Sequence, residues 1–365
     1  MTFVTDLLNG NKEPEKTFSD FWAWFQENER AFFNAMKNGS DIETTFFNKL
    51  SAKLAELRQG ISFLAGMHND STVELVLTPD GIVKNFAFTE DIIRAAPSIS
   101  GWKFTALKQA MDITDLQIEM QGYIFNSDNL FFYSNDFPIY PDVIDITVVY
   151  SDYKEEDEDL IRNGVYVFID NYLGELVFAT TIDNLSVANG SEIEKELVPI
   201  DKLQAYLIWR QKEFLEKYEG ERHDTEHDAY ISLEGVMEEG MPVTGIINTT
   251  LLDWDRKPSH PWIAELQIRY DGDNETGMPT VETYQLLDEI ENEAISQLKD
   301  ADGYLCIGRH TGDNTRVIYF GCKEFRKPSK VLRQLTIKYS QGLGISCEIR
   351  KDKYWQSFEQ FREAL

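Results

Sequence analysis

Between residues 262 and 350 the chain alternates strand-like runs with helical stripes in the order β-α-β-β-α-β. Residues 262–270 read as a strand and 281–298 as a helix, with Tyr284, Leu287, Ile290, Ala294 and Leu298 at three-and-four spacing. Residues 303–309 and 315–322 form a hairpin over the polar turn His310-Thr311-Gly312-Asp313-Asn314. A helix at 328–339, a strand at 344–350 and a closing helix at 354–364 complete the series. Two more strands, 229–236 and 243–252, stand in front of it, joined across Glu238-Glu239-Gly240. The order is the split-βαβ pattern, so the predicted class is α+β, with a ferredoxin-like C-terminal sandwich of mainly antiparallel sheet backed by helices.

The preceding residues predict a second α/β sandwich. Residues 17–36 place Phe18, Phe21, Trp22, Phe25, Phe32, Phe33 and Met36 on one helical face, with Thr17 and Asp20 spaced as a capping pair. Ser40 and Glu43 are spaced to cap a second helix whose stripe runs Phe47, Leu50, Leu54, Leu57, Ile61. A strand at 73–78 turns at Pro79-Asp80-Gly81 into a strand at 82–88. Thr89 then caps a short helix ending before Pro97, and 102–107 is a strand. Strands are expected at 123–125, 130–133 and 142–150, a helix start at the acidic run 155–159, and strands at 165–170 and 175–181 about Gly174. Pro199 opens a helix reaching Tyr218. Residues 220–228 contain no apolar side chain, which predicts domains at 1–220 and 229–365 with a linker at 221–228. The helix, polar turn and β-branched run around Gly66-Met67-His68 resemble those around Gly308-Arg309-His310. Related sandwiches in the two halves are therefore expected to share a strand order.

With 63 Asp and Glu against 35 Lys and Arg, the net charge is −28. Whole-molecule attraction to nucleic acid or to an anionic membrane is opposed by that balance. No apolar run approaches the ~20 residues of a membrane helix. Residues 1–16 carry neither a cationic nor an apolar segment of the kind a secretory signal needs. Cys306, Cys322 and Cys347 are odd in number, lack CxxC spacing and sit among apolar residues, which predicts buried thiols and a reducing, cytoplasmic location. The acidity is uneven. Residues 309–353 hold 11 Lys and Arg against 4 Asp and Glu, a net of +7. That stretch is either a solvated side of the fold or a local anion- or partner-binding face.

Few residues carry recognisable chemistry. His223, Glu226 and His227 match H-x-x-E-H, a pattern that binds zinc when a rigid helix fixes both imidazoles on one face. Here the hydrophilic flank predicts a loop, leaving these three as weak metal candidates. Arg309, His310 and Arg316 are the candidates for binding an anion or a partner at the hairpin, whereas His68 in the comparable N-terminal turn lacks a neighbouring Arg. His260 lies between Pro258 and Pro261 and reads as a rigid loop. No G-x-S-x-G elbow, P-loop or G-x-G-x-x-G fingerprint occurs, so no catalytic residue, cofactor or metal is implied.

Residues 230–361 resemble the bacterial domain-of-unknown-function 695 family. The resemblance is carried by Gly240-Met241-Pro242, the strand at 262–270, Gly277-Met278-Pro279, and Leu287, Ile290 and Glu291. Gly308-Arg309-His310-Thr311, residues 316–320 and Asp352-x-x-Trp355 complete the set. More distantly the chain is similar to the RraB family of acidic bacterial proteins that bind and inhibit ribonuclease E. Asn171-Tyr172-Leu173-Gly174-Glu175 resembles a segment that accompanies such domains. The resemblance implies no catalytic residue. It implies a bacterial, non-catalytic binding or regulatory protein whose acidic surface meets a protein partner. The alternatives are an enzyme acting on a small anionic substrate near Arg309, His310 and Arg316, and a toxin-neutralising protein.

Overall fold

The computed structural model describes residues 17–190, 195–236 and 240–363. The expectations for residues 1–16 and for Glu238 and Glu239 lie outside the described residues. Helix and strand are mixed throughout, at 43% and 27%, so the class is α+β. Packing divides the chain into two units, Met1–Lys108 and Gln109–Leu365.

In the first unit, helix α1 (Phe18–Asn38) begins with a reciprocal capping box. Asp20 N–H donates to the Thr17 hydroxyl, and the Asp20 carboxylate accepts from Thr17 N–H. The helix ends at Gly39 in the left-handed conformation. A π-helical turn, Glu43–Phe47, leads into α2 (Asn48–Leu57). Strands β1 (Ser62–Asn69) and β2 (Thr72–Thr78), helix α3 (Val83–Arg94) and strand β3 (Trp102–Ala106) follow. The core is aromatic: Phe25 meets Trp102 edge-on at 4.9 Å, and Phe32 stacks on Phe46 at 4.6 Å.

Several expectations fail in this unit. The predicted strand at 82–88 is the first half of α3, because Phe86, Thr89 and Ile92 are buried together at helical spacing. Thr89 is accordingly inside the helix, where its hydroxyl donates to the Asn85 carbonyl at 3.0 Å. The stripe read through Ile61 stops at Leu57, and residues around Gly66-Met67-His68 are part of β1, paired antiparallel with β2.

The second unit opens with a small hairpin, β4 (Ile118–Met120) and β5 (Tyr123–Phe125), then β6 (Leu130–Asn135) and β7 (Asp145–Tyr150). Helices α4 (Glu158–Leu173) and α5 (Glu175–Thr181) precede β8 (Asn184–Asn189), the two-residue strand β9 (Val198–Pro199) and α6 (Leu203–Lys217). These strands form one sheet in the order β8-β7-β6-β9. The strands predicted at 165–170 and 175–181 are helices. Ile161, Val165, Phe168, Ile169 and Tyr172 are buried at steps of four, three, one and three, and that face outweighs the β-branched and aromatic composition. Pro199 pairs with Phe131 in the sheet, and a 3-10 turn, Ile200–Lys202, separates it from α6.

The remaining elements are β10 (Tyr230–Val236), β11 (Pro242–Asn248), α7 (Thr249–Asp253), β12 (Trp262–Arg269), α8 (Val281–Gln297), β13 (Tyr304–Gly312), β14 (Thr315–Cys322), α9 (Arg326–Lys338), β15 (Gly344–Lys351) and α10 (Glu359–Glu363). Six strands make one sheet in the order β10-β11-β13-β14-β12-β15, with every pair antiparallel. In the first unit β2 lies directly beside β3 and parallel to it, whereas β12 separates β14 from β15. The strand orders differ, so the two halves are not a repeat.

The β13–β14 turn is shorter than predicted. Only Asp313 and Asn314 lie outside the ladder, both with positive φ (43° and 57°), which is the type I′ geometry that follows the twist of a hairpin. His310 and Thr311 therefore belong to β13. Cys306, Cys322 and Cys347 lie in β13, β14 and β15, and none is in a disulfide.

Gly321 leaves no room for a side chain: a Cβ there would sit 2.3 Å from the buried Trp355 ring. Gly321→Ala is expected to lower stability by ~1–3 kcal/mol in urea unfolding, with Trp355 emission moving toward the solvent-exposed wavelength. An unchanged midpoint and spectrum would show that the ring is not packed against this strand.

Candidate functional site

Helix α8 crosses one face of the six-stranded sheet and aims Tyr284, Asp288 and Glu291, spaced four and three apart, at β13 and β14. Arg316 is fully buried beneath them. Its guanidinium donates to Asp288 at 2.7 Å and to the Thr311 hydroxyl at 3.0 Å, and lies 4.8 Å from the centre of the Tyr284 ring. Arg309 pairs with Glu291, which also lies 3.5 Å from Arg316, and reaches the Tyr284 hydroxyl at 3.4 Å. Two guanidinium groups are thus met by two carboxylates in a closed network.

The structure brings Arg309 and Arg316 together but not His310. Alternation along β13 turns His310 to the other face, where Nδ1 meets the Tyr319 hydroxyl at 3.1 Å. Tyr319 packs in turn on Phe358. Burial pushes the His310 imidazole below its ordinary value, against a smaller upward pull from Glu265.

Of the metal candidates, His223 places Nε2 2.8 and 2.9 Å from the two Asp228 oxygens, and Asn248 also donates to Asp228. Residues Thr225–His227 form a single 3-10 turn, with Glu226 and His227 exposed. A turn of that length cannot hold His223 and His227 on one helical face. Among the described residues, no group of three or more His, Cys, Asp or Glu is placed to hold a metal ion. The hydrophilic segment is anchored: Thr225 N–H donates to Asp300 at 2.8 Å, and Lys323 donates to the Glu221 carbonyl.

His260 has a defined tautomer. The Ser259 hydroxyl donates to the Arg256 carbonyl at 2.6 Å, so at 2.8 Å it accepts from His260 Nδ1–H. Nε2 is left as a bare acceptor, buried and without a hydrogen-bond partner. Burial, with smaller contributions from Lys323 and His223, pushes this imidazole down to about 3.

A second constellation joins residues far apart in sequence. Asp183, at the entrance to β8, accepts from Ile144 N–H, Lys351 and Lys353, each at 2.7 Å. Lys351 also donates to the Thr181 carbonyl at 3.0 Å, and Lys353 to the Asp142 carbonyl at 2.6 Å. The Asp142 carboxylate accepts from the Tyr218 and Tyr354 hydroxyls and from Lys217. Burial pushes Lys351 down to about 8 against the opposing pull of Asp183, and pushes Lys353 down in the same way. Burial alone would raise the Asp183 carboxyl, but Lys351 and Lys353 outweigh it and hold the group below the ordinary range. These side chains border a cleft of about 300 Å3 that Arg350, Asp352 and Ser357 also line. Sequence reading missed this site. Its one local trace is Lys351-Asp352-Lys353, whose lysines alternate onto one side of the strand end.

Residues 239–362, the C-terminal third of the chain, match the model of a family of unknown function, DUF695. No curated protein matches the chain, and no solved structure matches it.

Lys351 gives the site a pH signature. Between about pH 8 and its ordinary value of 10.5, the folded chain has released a proton that the unfolded chain still holds. Stability then rises with pH by up to ~1.4 kcal/mol per unit from this group. The stability of the wild type relative to Lys351→Met is expected to climb from about pH 8 to about pH 10 in urea unfolding, since other groups titrate in both chains. A flat difference would mean that this ammonium is not desolvated.

Proposed function

We propose that this protein is a non-catalytic binding or regulatory protein of the bacterial cytoplasm, which engages a basic protein partner through its acidic surface. The observation that carries this reading is where the cations go. Of the eleven Lys and Arg in the stretch 309–353, net +7 in sequence, seven are paired with carboxylates. Arg309 and Arg316 are held by Glu291 and Asp288, Lys327 by Asp302, Lys338 by Glu293, Arg350 by Glu265, and Lys351 and Lys353 by Asp183. The acids left over are at the surface. Asp152, Glu155, Glu156, Glu158 and Asp159 are exposed around the start of α4, with Arg162 pairing only with Glu158 and Asp159. Such a field steers basic partners and repels nucleic acid and anionic membranes.

Two further features support the reading. The order β13-β14-β12-β15, with α8 and α9 as the two crossovers, supports reading this part as a ferredoxin-like sandwich extended by β10 and β11, a scaffold that presents surface. Three cysteines in strands without a disulfide accord with a reducing compartment. No observation favours a substrate pocket at Arg309 and Arg316, since their guanidinium groups already face carboxylates.

Affinity capture from a bacterial lysate, repeated with a variant carrying Glu155→Gln, Glu156→Gln, Glu158→Gln and Asp159→Asn, tests the reading. A basic protein is expected to be retained at ~50 mM salt and released at ~500 mM, with association about tenfold slower for the variant. Capture insensitive to both salt and the substitutions, or no capture at all, would sink it.

A further inference from the structure

The cleft beside Asp183 holds two ammonium groups and one carboxylate in close contact, leaving a positive charge in excess. Both lysines are largely withdrawn from water, their side chains 13% and 4% exposed. An ammonium has three N–H donors. Lys351 gives one to the Thr181 carbonyl and one to Asp183; Lys353 gives one to the Asp142 carbonyl and one to the other Asp183 oxygen. Lys351 has a donor with no acceptor among the described residues, whereas the Lys353 ammonium also lies 4.9 Å from the centre of the Phe214 ring.

The neighbouring carboxylates are committed elsewhere. Asp142 is occupied by Tyr218, Tyr354 and Lys217. Asp352 lines the cleft but caps the next helical turn, accepting from Gln356 N–H and from the N–H and hydroxyl of Ser357. Glu265 pairs with Arg350, whose second amino group donates to Ser357 at 3.0 Å. A desolvated charge without a counter-ion is unfavourable, and this one borders an open cleft of about 300 Å3.

We propose that the cleft is a binding site for a small oxyanion, a carboxylate or phosphate group that takes the remaining N–H of Lys351 and balances the charge of the lysine pair. The cleft volume leaves space for a small organic body attached to that group. The site is separate from the acidic surface at α4 and does not depend on its role. Asp183 is a competitor as well as an anchor: it occupies one donor of each lysine. Its removal therefore strengthens anion binding while the removal of Lys351 weakens it, a pair of opposite effects that a purely structural ion pair would not give.

The test is calorimetric titration of the full chain with sodium acetate and with sodium phosphate at matched ionic strength. Saturable binding is expected for one or both, and which probe binds identifies the anionic group. Lys351→Met is expected to weaken it at least tenfold and Asp183→Asn to tighten it, each variant first checked for wild-type circular dichroism. A measurement on the wild type guards against variants that misfold. The charged groups around the lysines are Asp183, Asp142, Arg210, Arg350, Glu265 and Asp352. Burial pushes Lys351 down to about 8 and pushes Lys353 down as well, so an anion that binds their charged forms takes up protons near pH 8. Titrations with acetate, which stays ionised across this range, in two buffers of different ionisation heat are expected to show net uptake near pH 8 that disappears near pH 6.5. The proposal is overturned by absence of saturable binding up to ~50 mM, by binding that Lys351→Met leaves unchanged or that Asp183→Asn weakens in a folded chain, or by binding without proton uptake.

Discussion

Strand β12 is made before its two neighbours and ends up between them. Along its whole length, Trp262 to Arg269, it pairs antiparallel with β14 on one side and β15 on the other. The sheet cannot close until the β13–β14 hairpin and the last strand have both been placed, so its formation waits on contacts distant in sequence. Alternation along these strands, switched once in β13 by the register shift between Cys306 and Gly308, then decides what meets each layer. One face carries Arg309, Thr311 and Arg316 to α8. The other carries Ile263, Leu305 and Ile307 to Trp355 and Phe358. The turn at Asp313 and Asn314 fixes the register that places Thr311 opposite Arg316.

The ion pairs of the second unit follow from this layering. Arg316 tolerates complete burial because its donors reach Asp288, Glu291 and Thr311 and its plane lies on Tyr284. Removing one acid would leave a desolvated cation, which is why a chain rich in acid uses particular carboxylates here. Asp183 does the same service for two lysines at once, and the incomplete balance there is what distinguishes it from the network under α8.

Much of the fold was legible where local pattern and tertiary burial agree. Helix α1 is written in the Thr17–Asp20 capping box and its aromatic stripe, and β12 to β15 in runs bounded by helices of clear period. The reading failed where composition and period disagree. Val165, Tyr166, Val167, Phe168 and Ile169 suggest a strand taken alone; only with Ile161 and Tyr172 does the helical face emerge. The same holds for α3, where Pro79-Asp80-Gly81 suggested a hairpin. At the candidate sites, proximity of Arg309 and Arg316 was readable from hairpin pairing, but the length of the turn was not, and with it the face of His310. The acids that answer these cations come from α8, and the one that answers Lys351 and Lys353 is Asp183. No spacing rule connects such residues before the sheet exists.

The dependence of Lys351 and Lys353 on Asp142 and Asp183 bears on how this chain can be cut. The family match begins at residue 239, after both of these acids. A fragment bounded by that match keeps the two lysines and loses Asp183, the carboxylate that pairs with both, together with the carbonyls of Asp142 and Thr181.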